Sequence, residues 1–102
     1  MLADSPPAIL TEIRSLLDLP AAGRPPRAAV EEMLTSGYAY ALGLEGQSLR
    51  IQRRLREVVR STEASSARSR AEEAAALERL LGEADRELAS VRGLLSTLRQ
   101  TI

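Results

Sequence analysis

The chain has 102 residues, with fourteen acidic and fourteen basic side chains and a formal net charge of zero. This length suits one small domain, and Cys, His, Lys, Asn, Phe and Trp are absent. These absences exclude a disulfide framework, thiolate metal sites and Ser-His-Asp or Cys-His catalysis, and the balanced charge is not typical of a nucleic-acid binder.

The first predicted element is a short helix over residues 5–19, in the stretch "SPPAILTEIRSLLDLP". Ser5 is placed to cap it, and Pro6 then occupies the first helical position, where a missing N–H costs nothing. Pro20 ends the helix. Five apolar side chains share one face at helical spacing: Ile9, Leu10, Ile13, Leu16 and Leu17.

Two longer helices are predicted over residues 26–61 and 69–102, separated by the polar segment "STEASSARSR". Each carries a seam in which steps of three and four residues alternate. The seam of the second helix is Val30, Leu34, Gly37, Ala41, Leu44, Ser48, Ile51, Leu55 and Val58. That of the third is Ala74, Leu77, Leu81, Ala84, Leu88, Val91, Leu95, Leu98 and Ile102. Such matched seams predict an all-α fold, a long antiparallel coiled-coil hairpin preceded by a short helix, as a single domain over residues 1–102.

The two seams also predict a register. Layer by layer, Leu44 faces Leu88, Ser48 faces Ala84, Val30 faces Ile102, and Gly37 faces the large side chain of Leu95. The missing side chain of Gly37 then makes room for that leucine.

Residues beside the seam test this register. It brings Glu31 next to Arg99 and Tyr38 next to Arg92, both favourable pairs. It also brings Glu45 next to Asp85, a mismatch of like charges that requires solvent or a third partner.

One flank of the hairpin has apolar side chains that two helices cannot cover. These are Met33, Tyr40, Leu80 and Leu94. The first helix is predicted to lie over Met33, Tyr40 and Leu94, which leaves Leu80 exposed. Because a small chain with thin layers has a modest core, dimerisation into a four-helix core would cover the remaining apolar surface.

A second stripe of the second helix points away from the seam. It consists of small residues followed by two arginines: Ser36, Ala39, Gly43, Gly46, Arg50 and Arg53. Small residues let another helix backbone approach closely, so these six are candidates for binding a partner helix or a second copy. The other interpretation is a solvent face on which tertiary packing tolerates glycine.

The segment "RIQRRLREVVR" is the main charge cluster. Its anion-binding candidates are Arg50, Arg53, Arg54, Arg56 and Arg60. They indicate either a site for a phosphate-bearing ligand or acidic partner, or a solvated face balanced by the acidic residues of the third helix.

We find no pattern for catalysis. The adjacent pairs Glu31/Glu32 and Glu72/Glu73 do not share a helix face, and "GLEG" lacks the phosphate-loop pattern. We therefore expect no enzymatic activity, no cofactor and no bound metal.

The remaining expectations concern origin and location. Arginine as the only basic residue, together with abundant alanine, indicates a GC-rich bacterial genome. No apolar run approaches the roughly 20 residues of a membrane span, and "MLADSPPAIL" lacks the basic start of a secretory signal. We expect a cytoplasmic protein that does not enter the membrane.

Together these features favour a non-enzymatic interaction or adaptor protein that binds itself or a helical partner protein through coiled-coil surfaces. The expected assembly is a homodimer or a complex with such a partner. The alternative is a regulator that binds nucleic acid or a nucleotide through Arg50–Arg60, with nucleic acid the less favoured partner.

Overall fold

A computed structural model describes residues 8–61 and 66–102, in which all regular secondary structure is helical. Helix α1 spans Ala8–Leu17, α2 spans Arg27–Arg60 and α3 spans Ala67–Arg99. A short 3-10 turn, which the sequence did not predict, lies at Ala21–Gly23. Helices α2 and α3 pack against each other as a hairpin, with α1 preceding them, so the predicted fold class is confirmed.

Backbone hydrogen bonds account for the helix ends around the first loop. The N–H of Leu19 donates to the carbonyl of Leu16 at 3.0 Å, a tightened last turn that ends α1 two residues before the predicted end. The carbonyl of Pro26 accepts from the N–H groups of Ala29 at 3.0 Å and Val30 at 3.2 Å, so α2 begins immediately after this proline. The predicted cap at Ser5 lies outside the described residues.

Helix α3 begins two residues earlier than predicted because Ser66 caps it. The Ser66 hydroxyl oxygen accepts a hydrogen bond from the N–H of Ser69 at 3.1 Å, which satisfies one of the unpaired donors of the first turn. The helix ends at Arg99, and Ile102 is 42% exposed. Ile102, which the register places opposite Val30, thus lies beyond the end of the helix and is only partly covered. Residues 62–65 of the polar segment between the two long helices lie outside the described part of the chain.

The chain divides into two compact units. The first contains the described residues up to Ala41 together with Ser90–Ile102. Its three helices enclose a well-covered core, and the largest fully buried side chains are Ile13, Val91, Leu95 and Leu98.

Gly37 lies at a close contact of helices in this first unit. A Cβ atom added there would overlap Cδ2 of Leu95 and would lie 3.5 Å from Cδ1 of Ile13. The predicted layer of Gly37 against Leu95 is confirmed, and α1 supplies the third side of that layer. Met33, Tyr40 and Leu94, the flank predicted to lie beneath α1, are half-buried.

The second unit comprises Leu42–Ala89, and its described residues belong mainly to α2 and α3. Leu44, Val58, Ala84 and Leu88 are buried between them, together with Ser48. The other seam residues are half-buried: Ile51, Leu55, Ala74, Leu77 and Leu81. Two helices thus leave the edges of their own seam open to solvent, and Leu80 is 48% exposed as predicted.

Ser48 is a polar residue in this apolar seam, and hydrogen bonds satisfy it. Its hydroxyl donates to Oδ1 of Asp85 at 2.9 Å and accepts from Nε2 of Gln52 at 3.3 Å. Because buried polar groups are costly when unpaired, Asp85 has a structural role that its predicted mismatch with Glu45 did not indicate.

Within the described chain, every buried residue of α2 and α3 belongs to the predicted seams. The alternation of three and four residues therefore identified the contact face of both long helices.

Candidate interaction surfaces

The stripe of small residues lies on the surface of α2, as its position away from the seam predicts. Ser36, Ala39 and Gly43 are exposed, and a Cβ added at Gly43 would meet nothing within 4 Å. Gly46 is half-buried, because Nη1 of Arg50 lies 3.5 Å from where its Cβ would be. The stripe is thus open at Gly43 and covered by a flexible guanidinium at Gly46, while Arg50 and Arg53 themselves are exposed.

Large apolar side chains border this stripe, a feature that the sequence analysis missed. Leu42 is 68% exposed and Leu49 is 58% exposed, whereas Val59, at 70% exposure, lies on a different face of the helix. Leu42 and Leu49 lie three residues after Ala39 and Gly46 respectively, so they share a helix face with them. This spacing can be read from the sequence, but the sequence does not show that the two leucines are left uncovered.

The arginine cluster is only partly paired. Arg54 donates to Oε2 of Glu73 on α3 from Nε at 3.0 Å and from Nη2 at 2.7 Å, and its Nη1 lies 3.5 Å from Glu57. The hydrogen bond to Glu73 raises the pKa of Arg54 above its ordinary value. This arginine therefore joins the two arms of the hairpin.

The other four arginines of the cluster project into solvent. Arg50, Arg53, Arg56 and Arg60 are exposed, and within the described residues none of them forms an ion pair with a carboxylate. They do not converge on one point, since residues three and four apart share a face while Arg50 and Arg56 do not. The arrangement is a diffuse basic surface rather than a clamp for one phosphate.

A shallow groove of about 550 Å³ lies in the first unit. The predicted register had brought two of its lining residues together. Glu31 and Arg99 both line it, in agreement with the register, beside Arg27, Leu34, Thr35, Tyr38 and Ile102. Arg27 Nε lies 3.6 Å from Oε2 of Glu31. The groove is open and its carboxylate is already paired.

The described part of the chain contains no group of three acidic, His or Cys residues arranged to hold a metal ion. None of its helices has the length and apolar character needed to cross a membrane.

Comparison with protein-family models, with curated proteins and with solved structures finds no match to this chain. The fold places it in a simple structural class, the all-α helical hairpin with one accessory helix.

Proposed function

We propose that this protein is a non-enzymatic interaction module that binds a second copy of itself or a helical partner protein through the exposed faces of its hairpin. The observation that carries the proposal is the pair of large apolar side chains left uncovered on one face of α2, Leu42 and Leu49. Apolar side chains grouped on one exposed surface are typical of interaction sites.

The test is association measured over a series of protein and salt concentrations. Apolar association depends weakly on ionic strength, whereas ion pairs at a surface are screened. Sedimentation of the chain alone, and of the chain mixed with a candidate helical partner, should reveal a complex that persists at high salt. The proposal is wrong if every complex found dissolves as salt is raised.

The second candidate function is binding of nucleic acid or a nucleotide through the arginine cluster. It is favoured by the four exposed arginines that lack a carboxylate partner in the described residues. Binding to phosphates releases counterions, so affinity should fall steeply with added salt. Fluorescence anisotropy with a labelled oligonucleotide distinguishes the two functions, and replacement of Arg53 and Arg56 by glutamine should weaken such binding and make it depend less on salt.

A further inference from the structure

One stripe of α2 has a chemical pattern that is complementary to itself. The members are spaced three and four residues apart and comprise Glu32, Thr35, Ala39, Leu42, Gly46, Leu49, Arg53, Arg56 and Arg60. All are exposed except Gly46, which is half-buried beneath Arg50. The stripe is thus acidic at its first residue, apolar and small in the middle, and basic at its end.

This order favours an antiparallel arrangement of two copies. When the helix is reversed against itself about Gly46, Ala39 lies over Arg53 and Leu42 lies within one residue of Leu49, a displacement of about 1.5 Å along the axis. The same reversal places Glu32 over Arg60, so opposite charges meet at both ends. A parallel arrangement instead places Arg53, Arg56 and Arg60 against their own copies, which is repulsive.

We propose that α2 is a self-association surface, on which a second copy of this chain packs antiparallel with Gly46 at the two-fold axis. This inference rests on the proposed function and names the partner. An interface around a two-fold axis uses the same patch on both copies, and the stripe meets that requirement by the glycine at its centre, the leucine on either side of it and the opposite charges at its two ends.

The small residues give the contact its geometry. Glycine at the axis lets two helix backbones approach closely, with two leucines from each copy packed on either side of it. Arg50, an exposed side chain that lies over Gly46 in the single chain, swings aside in the pair. The apolar contact is small, which corresponds to a weak or transient interface, so the association must be measured over a concentration series.

Cysteine crosslinking tests the axis directly, because the natural chain contains no cysteine. Gly46→Cys should form an intermolecular disulfide readily, since a bridge requires Cα atoms closer than about 7 Å. The control is Gly93→Cys on α3, an exposed helical glycine with nothing within 4 Å of an added Cβ. Equal crosslinking of the two variants would overturn the proposed axis.

Substitution of Leu42 and Leu49 tests whether this face of α2 forms the contact between copies. Leu42→Glu with Leu49→Glu should weaken dimerisation about tenfold or more, as the loss of a central apolar contact typically does. Helicity should not change, because both side chains are exposed. Leu80→Glu, on an exposed leucine of α3, is the control and should leave the association constant as it is.

An exchange of charges at positions 32 and 60 tests whether the two α2 helices run antiparallel. Arg60→Glu should weaken the dimer severalfold at low salt, and the additional change Glu32→Arg should restore it. Only an antiparallel pair brings positions 32 and 60 together, so a failure of this rescue would overturn the orientation.

The outcomes separate this inference from the function on which it rests. If the chain associates through apolar surface but the Leu42→Glu/Leu49→Glu variant associates equally well, the α2 surface is wrong and the interaction function stands. If the chain remains monomeric at every concentration, self-association is wrong, and the binding function then depends on the salt-resistant complex with a partner helix. If neither kind of complex forms, both proposals fail.

Discussion

Gly37 is the glycine at which the packing leaves least room for a side chain. An α-helical glycine normally lowers helix stability by about 1 kcal/mol relative to alanine. Here that cost is offset, because the space of a Cβ is already occupied by Cδ2 of Leu95, with Ile13 on the third side. The glycine therefore reflects a tight contact of three helices.

Substitution at Gly37 should be destabilising even when the new residue is a better helix former. Gly37→Ala and Gly37→Leu should both lower the free energy of unfolding, the leucine by about 1–3 kcal/mol or more through overpacking. Gly93→Ala is the control, since its added methyl group meets nothing within 4 Å. Urea denaturation of the three variants measures the difference. A Gly37→Ala protein that is as stable as Gly93→Ala would contradict the close contact.

Substitution of the two glycines in the stripe of small residues, Gly43 and Gly46, should stabilise the fold where substitution of Gly37 destabilises it. Gly43→Ala should raise the stability of the monomer by up to about 1 kcal/mol, because it adds helix propensity on an open surface. Gly46→Ala should raise it as well, since its methyl group would be in ordinary contact with Arg50 at 3.5 Å.

Larger side chains at these two positions separate folding from association. Gly43→Leu with Gly46→Leu should leave the helicity of the hairpin unchanged and weaken binding to a second copy or partner. Circular dichroism and sedimentation equilibrium measure the two effects. An unchanged association constant would mean that this stripe is a solvent face.

At the scale of elements, α1 acts as the third wall of the first unit. Ile13 is 0% exposed, and Leu10 and Leu16 are each 3% exposed. A helix of ten residues is too short to be stable in water on its own, so packing against α2 and α3 holds it in place.

Loss of α1 should therefore expose the hairpin beneath it. Ile13→Ala should cost about 2–5 kcal/mol, as expected for a fully buried large-to-small change. Deletion of residues 1–20 should lower the melting temperature further and increase binding of an apolar dye. The control is Glu12→Ala on the exposed side of the same helix. If the truncated chain melts at the temperature of the intact one, α1 is a free arm rather than a wall.

The register of α2 against α3 can be tested by comparing two pairs of introduced cysteines. Leu44→Cys with Leu88→Cys should form a disulfide within one chain, because the two residues are buried in the same predicted layer. Leu44→Cys with Leu77→Cys should not, since these positions are three turns out of register. Mass spectrometry of the oxidised monomer measures the yield. Equal yields from the two pairs would show that the register is wrong.

The sequence predicted the main contacts of these elements well, for a physical reason. A coiled-coil seam repeats at a fixed spacing, so its members can be found without coordinates. The hydrogen bond from Ser48 to Asp85 could not be predicted in this way, because it depends on the reach of one side chain across the seam. The cap at Ser66 was missed because several serines of that segment were equally plausible.

The candidate surface was predictable only in part, for a related reason. Spacing places Ser36, Ala39, Gly43 and Gly46 on an outer face, and the structure has them there. Spacing does not reveal that the guanidinium of Arg50 covers Gly46. It also does not distinguish Arg54, which Glu73 engages, from the arginines that remain in solvent.

At the scale of the whole molecule, apolar side chains are covered unevenly. In the first unit three helices bury Val91, Leu95 and Leu98 to 1% exposure or less. In the second unit two helices leave Ile51, Leu55, Leu77 and Leu81 half-buried. Since local stability depends on buried apolar contacts, the two units should open with different free energies.

Amide hydrogen exchange should make this difference visible. In dilute protein, the amides of Ile51, Leu55, Leu77 and Leu81 should exchange faster than those of Val91, Leu95 and Leu98, because fewer packed side chains oppose local opening. At higher protein concentration, packing of a second copy on α2 should slow exchange between Leu42 and Leu49 more than it does in α3. The variant Leu42→Glu/Leu49→Glu, which lacks the apolar contact, should lose this dependence on concentration. Uniform protection across both units would contradict the link between coverage and stability, and protection that rises equally in the variant would place the association elsewhere on the molecule.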